Sequence, residues 1–443
     1  MKTSKLKIFT LILAIGSLVS CQKEGCTDIN ALNYNADAKK NDNSCIYGNN
    51  DPYTLSGNIT NNKTLDSSHV WTLDGRVSVE NGVTLTIEPG TIVKATSGSG
   101  SKASSLIIAR GAKIMAIGTE NSPIIFTSTA DNIEKGERYG TNLDQNDQGF
   151  WGGVLVLGNA PISAPGNVDQ VQIEGIPTSD INGLYGGNDP ADNSGTMQYV
   201  SIRHGGASIG ADNEINGLTL GGVGNGTTID HIEVVGNVDD GIEFFGGTVN
   251  TSELLVWGQG DDGLDIDQAY AGTISNSMVV LSSISDHGLE IDGPEGSKTG
   301  SFSLENITII GAMSSNCNGF IKGEIADYRD GATGTSNNIF VKNFAYGKDI
   351  ELDNDADASN YTNGILSFSN FEISVPNYNG SNCYNDADSV LTNGTIFNDD
   401  SNIGSSFEID GSIIGKFVDS PTAGIGANEN DFSWTFAASR DAF

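Results

Sequence analysis

The sequence predicts an all-β chain: a right-handed parallel β-helix, a solenoid of stacked coils, following a short disulfide-stapled N-terminal segment. Three observations carry this. The apolar runs are short, as in Val83–Ile87, Leu106–Ile108, Ile124–Phe126, Ile229–Val235, Leu254–Trp257, Met278–Leu281, Ile307–Ile310 and Ile339–Val341, and Gly, Asn and Asp turns separate them. No stretch sustains the 3.6-residue apolar period of a helix, so the strands must stack on one another. One motif recurs in phase: Asp239-Asp240-Gly241-Ile242-Glu243, then Asp261-Asp262-Gly263-Leu264-Asp265, then Asp286-His287-Gly288-Leu289-Glu290. Its glycines are 22 and 25 residues apart, the length of one coil.

The chain divides into a leader over 1–20, a tether over 21–50, the β-helix over 51–345, and last coils with a C-terminal cap over 346–443. Lys2, Lys5 and Lys7 precede an apolar run from Ile8 to Val19 that is too short to span a bilayer. Leu18-Val19-Ser20-Cys21 resembles a bacterial lipobox, which implies cleavage before Cys21 and acylation of its thiol. The lipid is then the expected membrane attachment, because no other apolar run reaches the ~20 residues of a spanning helix. Four cysteines remain: Cys26, Cys45, Cys317 and Cys383. In an oxidising compartment they suggest two disulfides, and proximity favours Cys26–Cys45 and Cys317–Cys383 among three possible pairings.

Charge narrows the function. With 22 Lys and Arg against 56 Asp and Glu, the formal net charge is −34. Such a surface repels nucleic acid and anionic lipid, which excludes partners of the basic-patch kind. The 57 glycines and ten prolines fit many tight turns between short strands. There is no phosphate loop, dinucleotide fingerprint, Gly-x-Ser-x-Gly or zinc-spaced histidine pair. Trp71, Trp151, Trp257 and Trp434 are available either for core packing or for stacking on sugar rings.

Stacking the three repeats turns equivalent residues into columns about 4.8 Å apart. Glu243, Asp265 and Glu290 form one column, Asp240, Asp262 and His287 a second, and Asp239, Asp261 and Asp286 a third. Asp267 and Asp292 lie two residues further along their strands and return to the same face. Unit charges at that spacing repel by roughly 3–4 kcal/mol at an effective dielectric of 20. From His204 to Ser297 there are sixteen Asp and Glu and no Lys or Arg. Calcium, which favours several hard oxygens, is therefore the expected counter-ion. Turn chemistry alone is the competing explanation, since Asp and Asn occupy coil corners by bonding their own backbone.

Resemblances add expectations. Gly90-Thr91-Ile92-Val93, Ala109-Arg110-Gly111, Trp151-Gly152-Gly153, Tyr185-Gly186-Gly187, Asn216-Gly217-Leu218-Thr219 and Glu243-Phe244-Phe245-Gly246-Gly247 resemble a group of Bacteroidota β-helix lipoproteins over roughly residues 75–300. The tether, from Gly25-Cys26-Thr27-Asp28 to Asn43-Ser44-Cys45, resembles a thrombospondin type 3-like repeat, which implies calcium at Asp28, Asp37 and Asp42. Gln22-Lys23-Glu24 resembles the signal that sends such lipoproteins to the outer face of the outer membrane, where a TonB-dependent transporter is a possible partner. Asp261, Asp262 and His287 match the acidic and histidine motifs of polygalacturonase-type glycosidases, whose clustered aspartates act as acid and base. Phe320-Ile321-Lys322 resembles the basic motif that holds the uronate there, and the resemblance departs from that family at Gly263, at Asp286 and in having no Arg before Ile321. A β-helix polysaccharide lyase is the other enzymatic option, with Lys322 as the candidate base. The preferred expectation is binding of an extracellular polysaccharide, ahead of a glycan-degrading enzyme or a structural adhesin.

Overall fold

The computed structural model describes residues 23–27, 35, 38–41, 44, 51–208, 215–312, 323–344, 349–374, 377–378, 381–382, 397–399 and 411–443. Cys21, Asp28, Asp37, Asp42, Cys45, Cys317, Lys322 and Cys383 lie outside the described residues. The chain forms two compact units, Met1–Pro52 and Tyr53–Phe443. In the first, Glu24–Gly25 pairs in parallel with Lys40–Asn41, and Cys26 is buried and disulfide-bonded.

The second unit is a right-handed parallel β-helix in which, among the described residues, 25 strands join one continuous hydrogen-bonded system. Each coil contributes to three faces. The first face stacks Ser105–Ile108, Val154–Leu157, Leu218–Gly221, Ile242–Phe245, Leu264–Asp267, His287–Asp292, Glu324–Arg329 and Ile350–Leu352, each paired in parallel with the next. The second and third faces share long strands: Gly195–Arg203, Thr228–Val235, Thr251–Trp257, Thr273–Val280, Phe302–Ile310 and Gly334–Lys342. Each of these bends at one left-handed residue: Tyr199, His231, Glu253, Asn276, Asn306 and Asn338, with φ of 45–59°. The bends stack into a single corner, because the register skips these residues together, pairing Gln198 with Asp230 and Val200 with Ile232. A side chain at that φ is strained unless neighbours hold it. Here Tyr199 stacks on His231 at 4.1 Å, and Asn276 Nδ2 donates to Glu253 Oε1 at 3.2 Å.

Period-two alternation builds the core. Leu218, Leu220, Ile242, Phe244, Leu264, Ile266, Leu289, Ile291, Tyr328, Ile350 and Leu352 all point inward from the first face into one apolar cluster. Each such burial contributes roughly 1.5–3 kcal/mol. Two outer faces carry apolar residues as well, and each has a cover. On the third face Val235, Leu255, Trp257, Met278, Val280 and Ile310 lie beneath Phe432, Phe436 and Ala437 of the C-terminal segment. That segment is also pinned by polar contacts, since the Ala437 N–H donates to Glu233 Oε1 at 2.9 Å. All four tryptophans are buried, so none offers a ring face to a sugar. Among the described residues no helix is long and apolar enough to cross a membrane.

Candidate functional site

Glycines stack where the strands of the first face begin, with Gly217, Gly241, Gly263 and Gly288 in consecutive coils. A Cβ on Gly241 would press on Val256 and lie 2.7 Å from the Gly263 carbonyl oxygen; on Gly263 it would lie 2.5 Å from that of Gly288. Only glycine fits so close to the next coil, which is why the motif recurs in phase. The residues just before, Asn216, Asp240, Asp262 and His287, consequently stack at one corner. The Asp262 N–H donates to Asp240 Oδ1 at 2.9 Å, and the His287 N–H donates to Asp262 Oδ1 at 2.7 Å. The aspartates therefore do perform turn chemistry, each capping the coil that follows. In the third column, the Asp286 N–H donates to the Asp261 carbonyl oxygen at 2.9 Å.

The main column is deeper than the three repeats suggest. Thr219, Glu243, Asp265, Glu290, Asp327 and Glu351 are consecutive register partners on the outer side of the first face. Glu243, Asp265 and Glu290 are nevertheless only 6–8% exposed. Part of the outer side is covered by residues 159–187, whose Ile162, Ala164, Ile173, Ile176 and Tyr185 pack on Ile107, Leu155, Leu157 and Phe245. Tyr185 Oη donates to Gln268 Oε1 at 3.0 Å, and Gln268 Nε2 donates to Glu295 Oε2 at 2.7 Å. Lys298 closes the same edge on Asp169 at 2.8 Å.

Burial and mutual repulsion disfavour charge throughout the column. Burial first, then neighbouring carboxylates, raise Asp240, Glu243 and Asp265 well above the ordinary carboxylate range. The same causes push Asp267 and Asp327 up to about 7 and Glu290 up to about 9. For Asp327 and Glu290, nearby cations oppose the rise. His287 behaves inversely: burial works against its cation, but the hydrogen bond and charge of Asp262 outweigh it and lift the ring to about 9.

One expectation needs correction. The absence of Lys and Arg from 204 to 297 does not leave the whole column without a protein cation, because the next coil supplies one. Arg329 Nε lies 2.5 Å from Asp292 Oδ1, and its NH2 group bonds Glu290 Oε1. Nothing in the sequence spacing placed Arg329 here; it pairs with Asp292 across a connection of 37 residues.

Among the described residues, four groups place carboxylate or imidazole atoms within 4.8 Å of one another: Asp240, Glu243 and Asp265; Asp239, Asp240 and Asp261; Asp262, His287 and Glu290; and Glu324, Asp349 and Glu351. The first two and the last are all-oxygen donor sets of the kind hard cations take. The third is already committed internally, with His287 Nδ1 2.8 Å from Asp262 Oδ1. Of the candidate catalytic residues, Asp262 and His287 are in contact, Asp261 is beside them, and Lys322 is outside the described residues.

The fold and this face together define a class: a parallel β-helix with a carboxylate-lined outer face. A family model described as a pectate-lyase-like beta helix domain matches residues 57–410, and the chain belongs to that family. Its fold is of a polysaccharide-related kind. No match was found among curated proteins or among solved structures.

Proposed function

We propose that this chain is a calcium-stabilised, lipid-anchored β-helix protein of the outer membrane that binds an extracellular polysaccharide along its first face. The observation that carries the reading is the six-deep register column from Thr219 to Glu351 within a pectate-lyase-like fold. Its coil rise of about 4.8 Å repeats polar groups along the solenoid axis, and a polymer would meet it at the less buried end, Asp327 and Glu351, since Glu243, Asp265 and Glu290 are only 6–8% exposed. Binding is preferred to turnover because Asp262, the best-placed acid, already accepts twice from His287. Anchoring at Cys21 rests on the leader and the lipobox-like motif, and display outside the cell on Gln22-Lys23-Glu24 and the tether beside it; a TonB-dependent transporter is the partner such display suggests.

The test is an affinity and calorimetry panel of neutral and uronic-acid polysaccharides with calcium present. Saturable binding of at least one glycan supports the reading, and no binding across the panel by folded, calcium-loaded protein overturns it. The enzymatic alternative would use Asp262 as its acid or base, after release from His287. Release of reducing ends or unsaturated uronates from the bound glycan, lost in Asp262→Asn, would establish it instead.

A further inference from the structure

We propose that Asp240, Glu243 and Asp265 hold one divalent cation of the calcium type between consecutive coils, with the Asn216 amide oxygen as a further donor. This gives the calcium of the preceding reading a place, and it stands whether or not a glycan binds.

The geometry begins with register. Glu243 and Asp265 are partners on adjacent strands, Asp240 stands at the corner three residues before Glu243, and Asn216 is the corner residue of the coil before. The donor atoms of the three acids lie within 4.8 Å of one another. Asn216 Nδ2 bonds Glu243 Oε2, which ties the fourth side chain to the same place.

A cluster of acids is not by itself a site, but this one contains orphaned oxygens. Asp265 is 8% exposed and its Oδ1 has no hydrogen-bond partner; Asn216 is 1% exposed and its Oδ1 has none. Buried acceptors are almost always satisfied, and a cation satisfies both without any donor from the protein. Elsewhere in the column the protein supplies its own positive charge: Arg329 serves Glu290 and Asp292, and His287 serves Asp262. Among the described residues no Lys, Arg or His forms an ion pair with Asp240, Glu243 or Asp265. Asp327 Oδ1, further along the column, also lacks a hydrogen-bond partner, but it lies near His287 and Arg329, whereas among the described residues no cation pairs with Asp265.

Donor type selects the ion. Three carboxylates and an amide, with no thiolate or imidazole, disfavour zinc and copper. Magnesium requires a compact octahedron and retains its water, whereas calcium accepts irregular, oxygen-rich seats. With ligands from successive coils, the ion acts as a staple across the strands of the first face.

The experiment titrates calcium into the purified, chelator-stripped full chain, by calorimetry and by hydrogen exchange with and without the ion. To remove the tether from the count, Asp28, Asp37 and Asp42 are replaced together by Asn in the reference protein. The expected result is one site per chain, with exchange slowed in Ile242–Phe245 and Leu264–Asp267. Asp265→Asn should weaken calcium at least tenfold, while Asp292→Asn, held by Arg329 outside the seat, should change it less than threefold. Absence of calcium binding overturns the proposal, as does equal affinity in Asp265→Asn. If Asp265→Asn does not fold, the exchange map of the reference protein decides: protection confined to other strands overturns the assignment. Glycan affinity is measured separately, so its failure leaves this result intact.

Discussion

His287 holds Asp262 with two groups at once: its backbone N–H donates to Oδ1 at 2.7 Å, and its ring Nδ1 lies 2.8 Å from the same oxygen. The contact bridges two coils 25 residues apart and makes the histidine a fixed cation in an acidic column. Its sign is set by the raised pKa. A ring that titrates at about 9 in the fold and near 6.5 unfolded contributes stability that is complete below the unfolded value and is lost as pH rises through 9.

The chelator-treated protein should therefore become less stable from pH 6 to pH 10. Asp267 and Asp327, raised to about 7 by burial, act in the same direction between pH 4 and 7 because the fold prefers them protonated. Urea unfolding at pH 6, 8 and 10 measures this. His287→Gln should remove on the order of 1–3 kcal/mol of the loss above pH 7. An unchanged slope in that variant would show that His287 is not the titrating group.

Arg329 should be the most sensitive single position at the open end of the column. Arg329→Gln leaves Asp292 without a counter-charge and Glu290 with only the His287 ring, 3.7 Å away, and should cost about 2–3 kcal/mol. Adding Asp292→Asn should recover part of that loss, because it removes the charge left unpaired. Equilibrium denaturation of the two single variants and the double variant gives the coupling directly.

On the third face the C-terminal segment acts as a strap. Phe436 packs among Trp257 and its neighbours, and the strap backbone bonds Glu233, which also faces the buried Arg203 at 3.7 Å. Phe436→Ala should lower stability by about 3–5 kcal/mol. Truncation after Val418 should uncover the row from Val235 to Ile310 and produce dye binding and self-association. A monodisperse truncated protein with unchanged stability would deny the strap that role.

Attachment is tested independently of the fold. Cys21→Ser should move the protein from the membrane fraction to the soluble fraction, once retained leader has been excluded. Protease shaving of intact cells then reports whether the wild-type chain faces outward.

The sequence made the first face legible because sterics force Gly241, Gly263 and Gly288 to recur with their acidic neighbours. Asn216-Gly217 belongs to the same stack, but an amide at the corner and Thr219 in the column disguise it. Below Glu290 the signal fades for a physical reason. Ile325 replaces glycine, and the connection lengthens, so Asp327 and Glu351 fall out of phase although they stay in register. The left-handed corner left almost no trace, since Tyr199, His231 and Glu253 share a backbone conformation with three asparagines and nothing else. Arg329 and the strap were illegible because each reaches its partners across long connections that no local period records.

The central claim is that the acid-lined first face is the surface that meets a polysaccharide. Hydroxyl-radical footprinting of the calcium-loaded protein, with and without the tightest-binding glycan, tests it most directly. Protection is expected at Asp327 and His287 and their neighbours on the first face, with the second face and the strap unchanged. Protection confined to the second face or to the strap, with the first face as reactive as in the free protein, would contradict it.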